Sequence, residues 1–507
     1  MAPVEPQSVR RAGAKPRRRS VDWPVIVDPA PYVPANWFQR LRQDRRSGGW
    51  GLLCSVLVHA VVAVACGVWI VTLPIRDDGD PYLISWLRPG AIGGEGAAGP
   101  KRQPMRLPVD LGPGAEIEGP KSEPKSMGDA PGLTTAPAVQ PVEVGRALTP
   151  RRETTGTATK IAGSDDAKQA IRRGLDWLKR VQLSDGRWEL HQGYPDPGFS
   201  TIKTDTGATG LALLAFLGDG HTHQQGEFAD VIKRGLQWLK GIQDPATGDL
   251  HDMRYEQGRE AAVFSHSLAT IALCESLALT ADETLREPAR RAVNYLLMAQ
   301  HPDQGGWKYR PIFLESNGDM AVTGWALMAL HTARIAGIDV AIEDLQRSSG
   351  FLNSVQELNG ARYKFEPLYP ANYVTPALTA EGLLCRQWLG WPKDYPPQLD
   401  AVEYLLSETF RPQWSAGKRN IYGWYFTAQV LHNRGGDEWR IWYLPTRDLI
   451  VKHQMKTGKL RGTWHPSQPE GVREEFAEKG GRLYMTAMCL LILETPQRFA
   501  PIYAEQE

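Results

Sequence analysis

The chain has 507 residues, and its 58 Lys+Arg nearly balance 57 Asp+Glu, a formal net charge of +1, so charge implies no polyanionic partner and no nucleic acid is expected. Five Cys, none in CxxC spacing, exclude a disulfide-stapled scaffold and a Cys-based zinc ribbon. With 50 Gly and 38 Pro, part of the length is linker rather than domain.

Residues 1–50 form a basic tail with ten Lys/Arg against four acids. From Gly51 to Leu73 there are 23 residues without a formal charge, which at about 1.5 Å per residue make roughly 34 Å of helix, enough to cross a bilayer. The Arg cluster before this span outweighs Arg76 and Arg88 after it. The N-terminus is therefore expected in the cytoplasm, with the C-terminal bulk on the periplasmic side of a bacterial cytoplasmic membrane. About fifty residues precede the apolar run, which favours an uncleaved anchor over a signal peptide. Ser55 and His59, four residues apart, share one helix face. The string LCSVLVHAVVA, followed by a Pro-rich segment, resembles the anchor of the TonB energy-transducer family. That resemblance implies that Ser55 and His59 dock against a proton-channel complex; a plain anchor whose His reaches the interface is the other reading.

Residues 76–164 contain 14 Gly and 12 Pro and no aromatic between Trp86 and Trp177. Such a stretch cannot bury enough apolar surface to offset its ordering entropy, so a disordered tether is expected.

From Asp165 to about residue 504 the sequence repeats itself. An amphipathic segment ends in Gln and is followed by a Gly turn and an aromatic: Gln182…Gly186…Trp188, then Gln243, then Gln300…Gly305-Gly-Trp307, a looser Gln356…Gly360, a copy from Val402 to Phe410 without its Gln, and Gln454…Gly462-Thr-Trp464. Each copy is followed by a more apolar segment bearing an aligned Thr or Ser: Thr209, Ser267, Thr323, Thr379, Thr427 and Thr486. Amphipathic helices alternating with uniformly apolar ones predict an outer and an inner ring: an all-α fold of six hairpins, either closed into an α6/α6 toroid with a central cavity or open as a solenoid.

Arg173-Gly174-Leu175…Gln182…Gly186…Trp188 and Asp303-Gln-Gly-Gly-Trp307 resemble the QW motif of squalene-hopene cyclases and related triterpene cyclases. The resemblance implies the toroid shared with protein prenyltransferase β-subunits, with the Gln and Trp in a structural role. In such a fold the loops before the inner helices open on one end of the cavity. Four residues before the aligned positions stand Asp205, Asp319 and Arg482, and close by stand His266, Tyr373, Tyr422, Trp424 and Tyr484, with Trp325, Glu381 and Gln429 farther along the helices. Cyclisation of a polyene needs a carboxylic acid kept protonated in an aromatic cavity. The cyclases supply it from a DxDDTA motif; here Asp319 matches only its last Asp, with Gly318 at the donor position and Ser316 at the first Asp. In the first repeat Thr204 stands at the donor position before Asp205.

Asp205 and Asp319 are therefore read either as relocated catalytic acids or as helix caps. Arg482 is a candidate partner for a carboxylate or phosphate, or for one of those two acids across the ring. No DxC pair for a prenyltransferase zinc site is present, and no cofactor or metal is implied. Polysaccharide lyases and glycosidases on α/α toroids use Trp/Tyr subsites and keep a third reading open. The sequence thus describes a membrane-anchored toroid that binds a lipid, peptide or glycan. The alternative is an isoprenoid-processing, terpene cyclase-like enzyme with a relocated acid.

Overall fold

The computed structural model describes residues 164–190, 202–251, 261–311, 318–470, 472, 474–498 and 500–503. The expected basic tail, the 51–73 span with Ser55 and His59, and the linker up to residue 163 lie outside them.

Among the described residues there are twelve α-helices, α1 (Asp165–Val181), α2 (Asp205–Gly218), α3 (Ala229–Ile242), α4 (Ala262–Thr280), α5 (Arg286–Ala299), α6 (Met320–Ile335), α7 (Ile342–Val355), α8 (Pro376–Trp388), α9 (Pro396–Leu406), α10 (Ile421–Arg434), α11 (Gly436–Lys452) and α12 (Glu475–Arg498). A two-stranded antiparallel ribbon, β1 (Gln356–Glu357) and β2 (Arg362–Tyr363), pairs Gln356 with Tyr363 in the loop after α7.

The two kinds of helix follow from their residues. In α1, Ser164 caps the first turn by accepting the Ala167 N–H, acids open the helix and Lys179 and Arg180 close it. Its buried residues, among them Ala167, Ala170, Ile171, Gly174, Leu175 and Leu178, recur three and four apart and so form one stripe. In α2 every residue is buried, which only a helix enclosed on all sides can satisfy. One described helix, α4, is long and apolar enough to cross a membrane by length and composition; here it is an inner helix packed between α2 and α6.

The even-numbered helices pack side by side in sequence order, and α12 packs back on α2. The inner ring is therefore closed, and the fold is an α/α toroid of six hairpins rather than a solenoid. The Gln side chains lock the outer layer. Gln182 Nε2 donates to the carbonyl of Gly186 in its own turn (2.8 Å) and to that of Val231 in the next outer helix (2.9 Å). Gln243 and Gln300 do the same toward Pro288 and Asp344. Gln454 reaches Ala170 at 2.8 Å, joining the last repeat to the first. The other end of each amide accepts from an Arg at one helical position of the following repeat: Arg234, Arg291, Arg347 and, across the closure, Arg173. The turn glycines 186, 248, 305 and 462 all have positive φ, and a Cβ on any of them would collide with the backbone carbonyl of that same Arg. The buried Trp188, Trp307 and Trp464 each donate the indole N–H to a carbonyl of the outer helix before them, at 2.8 Å.

Candidate functional site

Three of the six aligned hydroxyls point outward. Thr209, Thr323 and Thr379 accept the backbone N–H of Trp188, Trp307 and Tyr363 in the turns between layers. Positions two residues later lie about 200° around the helix and so face the ring axis. They are Leu211, Ala269, Trp325, Glu381, Gln429 and Met488, all buried.

Aromatic side chains from α4, α6, α10 and α12 meet inside the ring. Trp325 of α6 stacks on Tyr425 of α10 (centroids 5.4 Å apart) and meets Phe426 of α10 and Phe264 of α4 edge-on, both at 5.6 Å. Phe264 stacks on Phe476 of α12, which contacts Tyr422 at 4.9 Å. Among the described residues, two clefts open at the end where the inner helices begin. The larger, about 100 Å³, lies between the starts of α8 and α10; its walls include Phe365, Pro376, Leu405, Phe410 and Trp424, its floor Tyr422 and Phe476, and its rim Arg411, Lys418 and Asn420. The smaller, about 60 Å³, is lined by Phe264, Leu268, Tyr309, Phe476 and Tyr484. Phe476 is the wall common to both.

Two carboxyls lie under this floor. Asp319 is fully buried and caps α6, its Oδ1 accepting the Val322 N–H at 2.9 Å, while its Oδ2 has no hydrogen-bond partner among the described residues. Burial pushes its pKa up to about 7, against the opposing pull of the Val322 bond and the nearby Lys308. Glu381, also fully buried, accepts the Tyr422 hydroxyl on Oε1 at 2.9 Å and leaves Oε2 without a partner among the described residues. Its carboxyl is held well above the usual carboxylate range, first by burial and further by Asp319. Gly324 leaves the space its side chain occupies: a Cβ there would meet the Glu381 carboxyl.

Tyr422 and Trp424 line the larger cleft and Tyr484 the smaller one, but the other expected residues do not converge on them. Asp205 is not the cap of α2. Thr204 takes that role, and Asp205 Oδ2 pairs with Arg187 Nε at 3.0 Å in a network with Asp185 and Glu189. His266, expected at the cavity, spends both ring nitrogens on the backbone: Nδ1 accepts the Leu250 N–H (3.0 Å) and Nε2 faces the Ala292 carbonyl (2.9 Å). Tyr373 is 48% exposed on the loop before α8, edge-on to Tyr369. Arg482 is turned toward the last Gly-Thr-Trp turn, with Nη1 3.2 Å from Thr463 Oγ1. His331 and His432, held neutral by burial with pKa values of about 4, line a third pocket with Trp388 and Gln429.

Residues 154–267 match the squalene-hopene cyclase C-terminal domain family. The repeat domain is squalene-hopene cyclase-like. It is 26% identical over 289 residues to a squalene–hopene cyclase of Bradyrhizobium diazoefficiens, a stretch covering 51% of this chain and 42% of that one, so the chain spans about two fifths of the length of this relative. Solved structures with a similar helical ring include a type II terpene cyclase from Scytonema (12% identity, TM-score 0.43, 66% of this chain and 97% of that one). Cellobiose 2-epimerase from Spirochaeta thermophila is another (13% identity, TM-score 0.46, 68% and 98%).

In this cyclase-like ring the missing donor has a structural cause. Gly318 has φ +62°, and a Cβ on it would sit 2.9 Å from the Gly306 Cα and 3.0 Å from the Trp307 nitrogen. An Asp at 318 would be strained in its backbone and crowded against the Gly-Gly-Trp turn. Two of the fully buried carboxyls of the inner helices come from the cap of α6 and the middle of α8. Glu381 was legible as a neighbour of the site but not as a fully buried acid; the register relative to Thr379 is the signal that marks it. Phe264 could have been found by counting from Ser267. Phe476 precedes a kink at Gly481 (φ +67°), which breaks the register, so no spacing pointed to it.

Proposed function

We propose that this cyclase-like toroid, tethered to a membrane by residues 51–73, binds an apolar ligand in the aromatic cleft between α8 and α10 and does not cyclise a polyene. The observation carrying this reading is the glycine at 318, held at positive φ against Gly306 and Trp307, where a cyclase acid would have to stand. Size argues the same way. Ligand sites that enclose a whole organic molecule occupy about 300–1,000 Å³. A cleft of about 100 Å³ takes an aliphatic or aromatic end group, such as the end of a lipid chain. The polar rim, with Lys418 and the Arg411–Glu408 ion pair, suits a ligand whose polar part remains in water.

A second reading, an isoprenoid-processing enzyme with a relocated acid, is favoured by one observation: Glu381 and Asp319 are both biased toward their protonated forms beneath an aromatic floor. Incubation of the purified protein with squalene, followed by mass spectrometry of bound and released lipid, separates the two. Saturable retention of unchanged lipid is expected. Cyclised product that disappears in Glu381→Gln would overturn the binding reading in favour of the enzyme.

A further inference from the structure

Among the described residues, Phe476 alone lines both clefts. It is half-buried, and its ring lies between two others. Tyr422, in the floor of the larger cleft, is 4.9 Å away, and Phe264, in the wall of the smaller, is stacked at 6.2 Å with its plane inclined by 20°. Two features of the chain hold it there. α12 is kinked at Gly481 (φ +67°), so residues 475–480 make a short turn of their own ahead of the inner helix. Two residues before Phe476, Glu474 is buried against Arg419, whose Nε donates to its Oε2 at 2.6 Å. Glu474 Oε1 accepts the Ile421 N–H at the start of α10, and Arg419 also donates to the His465 carbonyl at 3.0 Å. The pair thus ties the turn that carries Phe476 to the helix that carries Tyr422.

We propose that Phe476 determines the specificity of this site: its ring is a partition that confines a single aliphatic chain, entering past the polar rim, to the larger cleft. The ligand class that follows is a single-chain amphiphile with a short tail, its polar end left at the rim. The smaller cleft is chemically fit to continue the larger one. No charged side chain lines it, and the hydroxyls of Thr204 and Ser265 in its wall bond each other at 2.7 Å, so it suits hydrocarbon. A longer tail reaches it only by pushing the Phe476 ring out from between Tyr422 and Phe264, which forfeits both ring contacts, or by moving the turn held by the buried Arg419–Glu474 pair. The inference rests on the apolar-ligand reading above and adds to it the length of tail and the residue that limits it.

The test uses the full-length protein in an amphipol and a series of n-alkanols of increasing length with a photoreactive diazirine at the chain end. Affinity is read by native mass spectrometry, and the position of the chain end by mapping the crosslinked residues. In the wild type, affinity should rise about fourfold per methylene and then level off when the larger cleft is full. Long and short probes alike should label that cleft, at Leu405, Phe410 or Trp424. In Phe476→Ala the rise should continue for longer chains, about fifteenfold for two further methylenes, and the label of the long probes should move to Leu268 and Tyr484. Adding Leu268→Phe to that variant refills the smaller cleft and should cancel the gain. Phe476→Leu should shift the limit in the same direction by less, and it replaces the Ala variant if that one fails to fold. Long probes that label Leu268 or Tyr484 in the wild type, or an unchanged length limit in a folded Phe476 variant, would overturn the partition while leaving the apolar-ligand reading intact. Absence of labelling in either cleft of folded wild-type protein by any probe would overturn both.

Discussion

Asp319→Asn separates a cap from a titrating acid. The carboxyl has an ordinary pKa of 3.8 and is pushed up to about 7 in the folded protein. Between those values the native state binds the proton that the unfolded chain has released, so stability falls as pH rises. At about 1.4 kcal/mol per pH unit, this one group withdraws about 4 kcal/mol between pH 4 and pH 7, and nothing further above that. Asparagine keeps the Oδ1 that accepts the Val322 N–H and does not titrate. At pH 4.5 the variant and the wild type should agree within about 1 kcal/mol, whereas at pH 8 the variant should be more stable by about 2–4 kcal/mol. Asp319→Ala also removes the pH dependence but loses the cap, a cost of about 0.5–2 kcal/mol at every pH. Urea midpoints of the three proteins at pH 4.5, 6 and 8 measure this directly. A wild type and Asn variant with the same pH slope would mean that Asp319 is solvated or paired when folded, and would remove it from the set of protonated acids.

Gln454→Ala should cost about 2–4 kcal/mol by chemical denaturation, because the amide gives two hydrogen bonds to backbone carbonyls and receives one from Arg173 across the ring closure; a change below about 0.5 kcal/mol would be inconsistent with a closed outer layer. A chain beginning at residue 165 should fold and stay soluble, since the repeats bury their own core, and size-exclusion chromatography with circular dichroism checks it; aggregation would place the boundary elsewhere. If Ser55 and His59 form a docking face, His59→Leu should leave membrane insertion intact and abolish co-purification of a proton-channel partner, whereas unchanged recovery would reduce the segment to a plain anchor.

Repeat number, helix type and the turn chemistry were legible in the sequence because they are local. Gln182, Gly186 and Trp188 stand at short fixed spacings, and the alternation of striped and wholly apolar segments is itself the record of an outer and an inner layer. The aligned Thr series also carried the axial register, from which Trp325, Glu381 and Gln429 follow by counting two residues on. Only the tertiary structure decided what depends on contacts between distant residues. Closure of the ring joins Gln454 to Ala170, far apart in sequence, and Trp325, Phe264, Phe426 and Phe476 from four helices come into contact inside it. Asp205 and Asp319 occupy equivalent places in the repeat, yet one pairs with Arg187 while the other is fully buried without an ion-pair partner among the described residues. The raised pKa of Asp319 comes from burial, which belongs to the fold and not to the repeat motif.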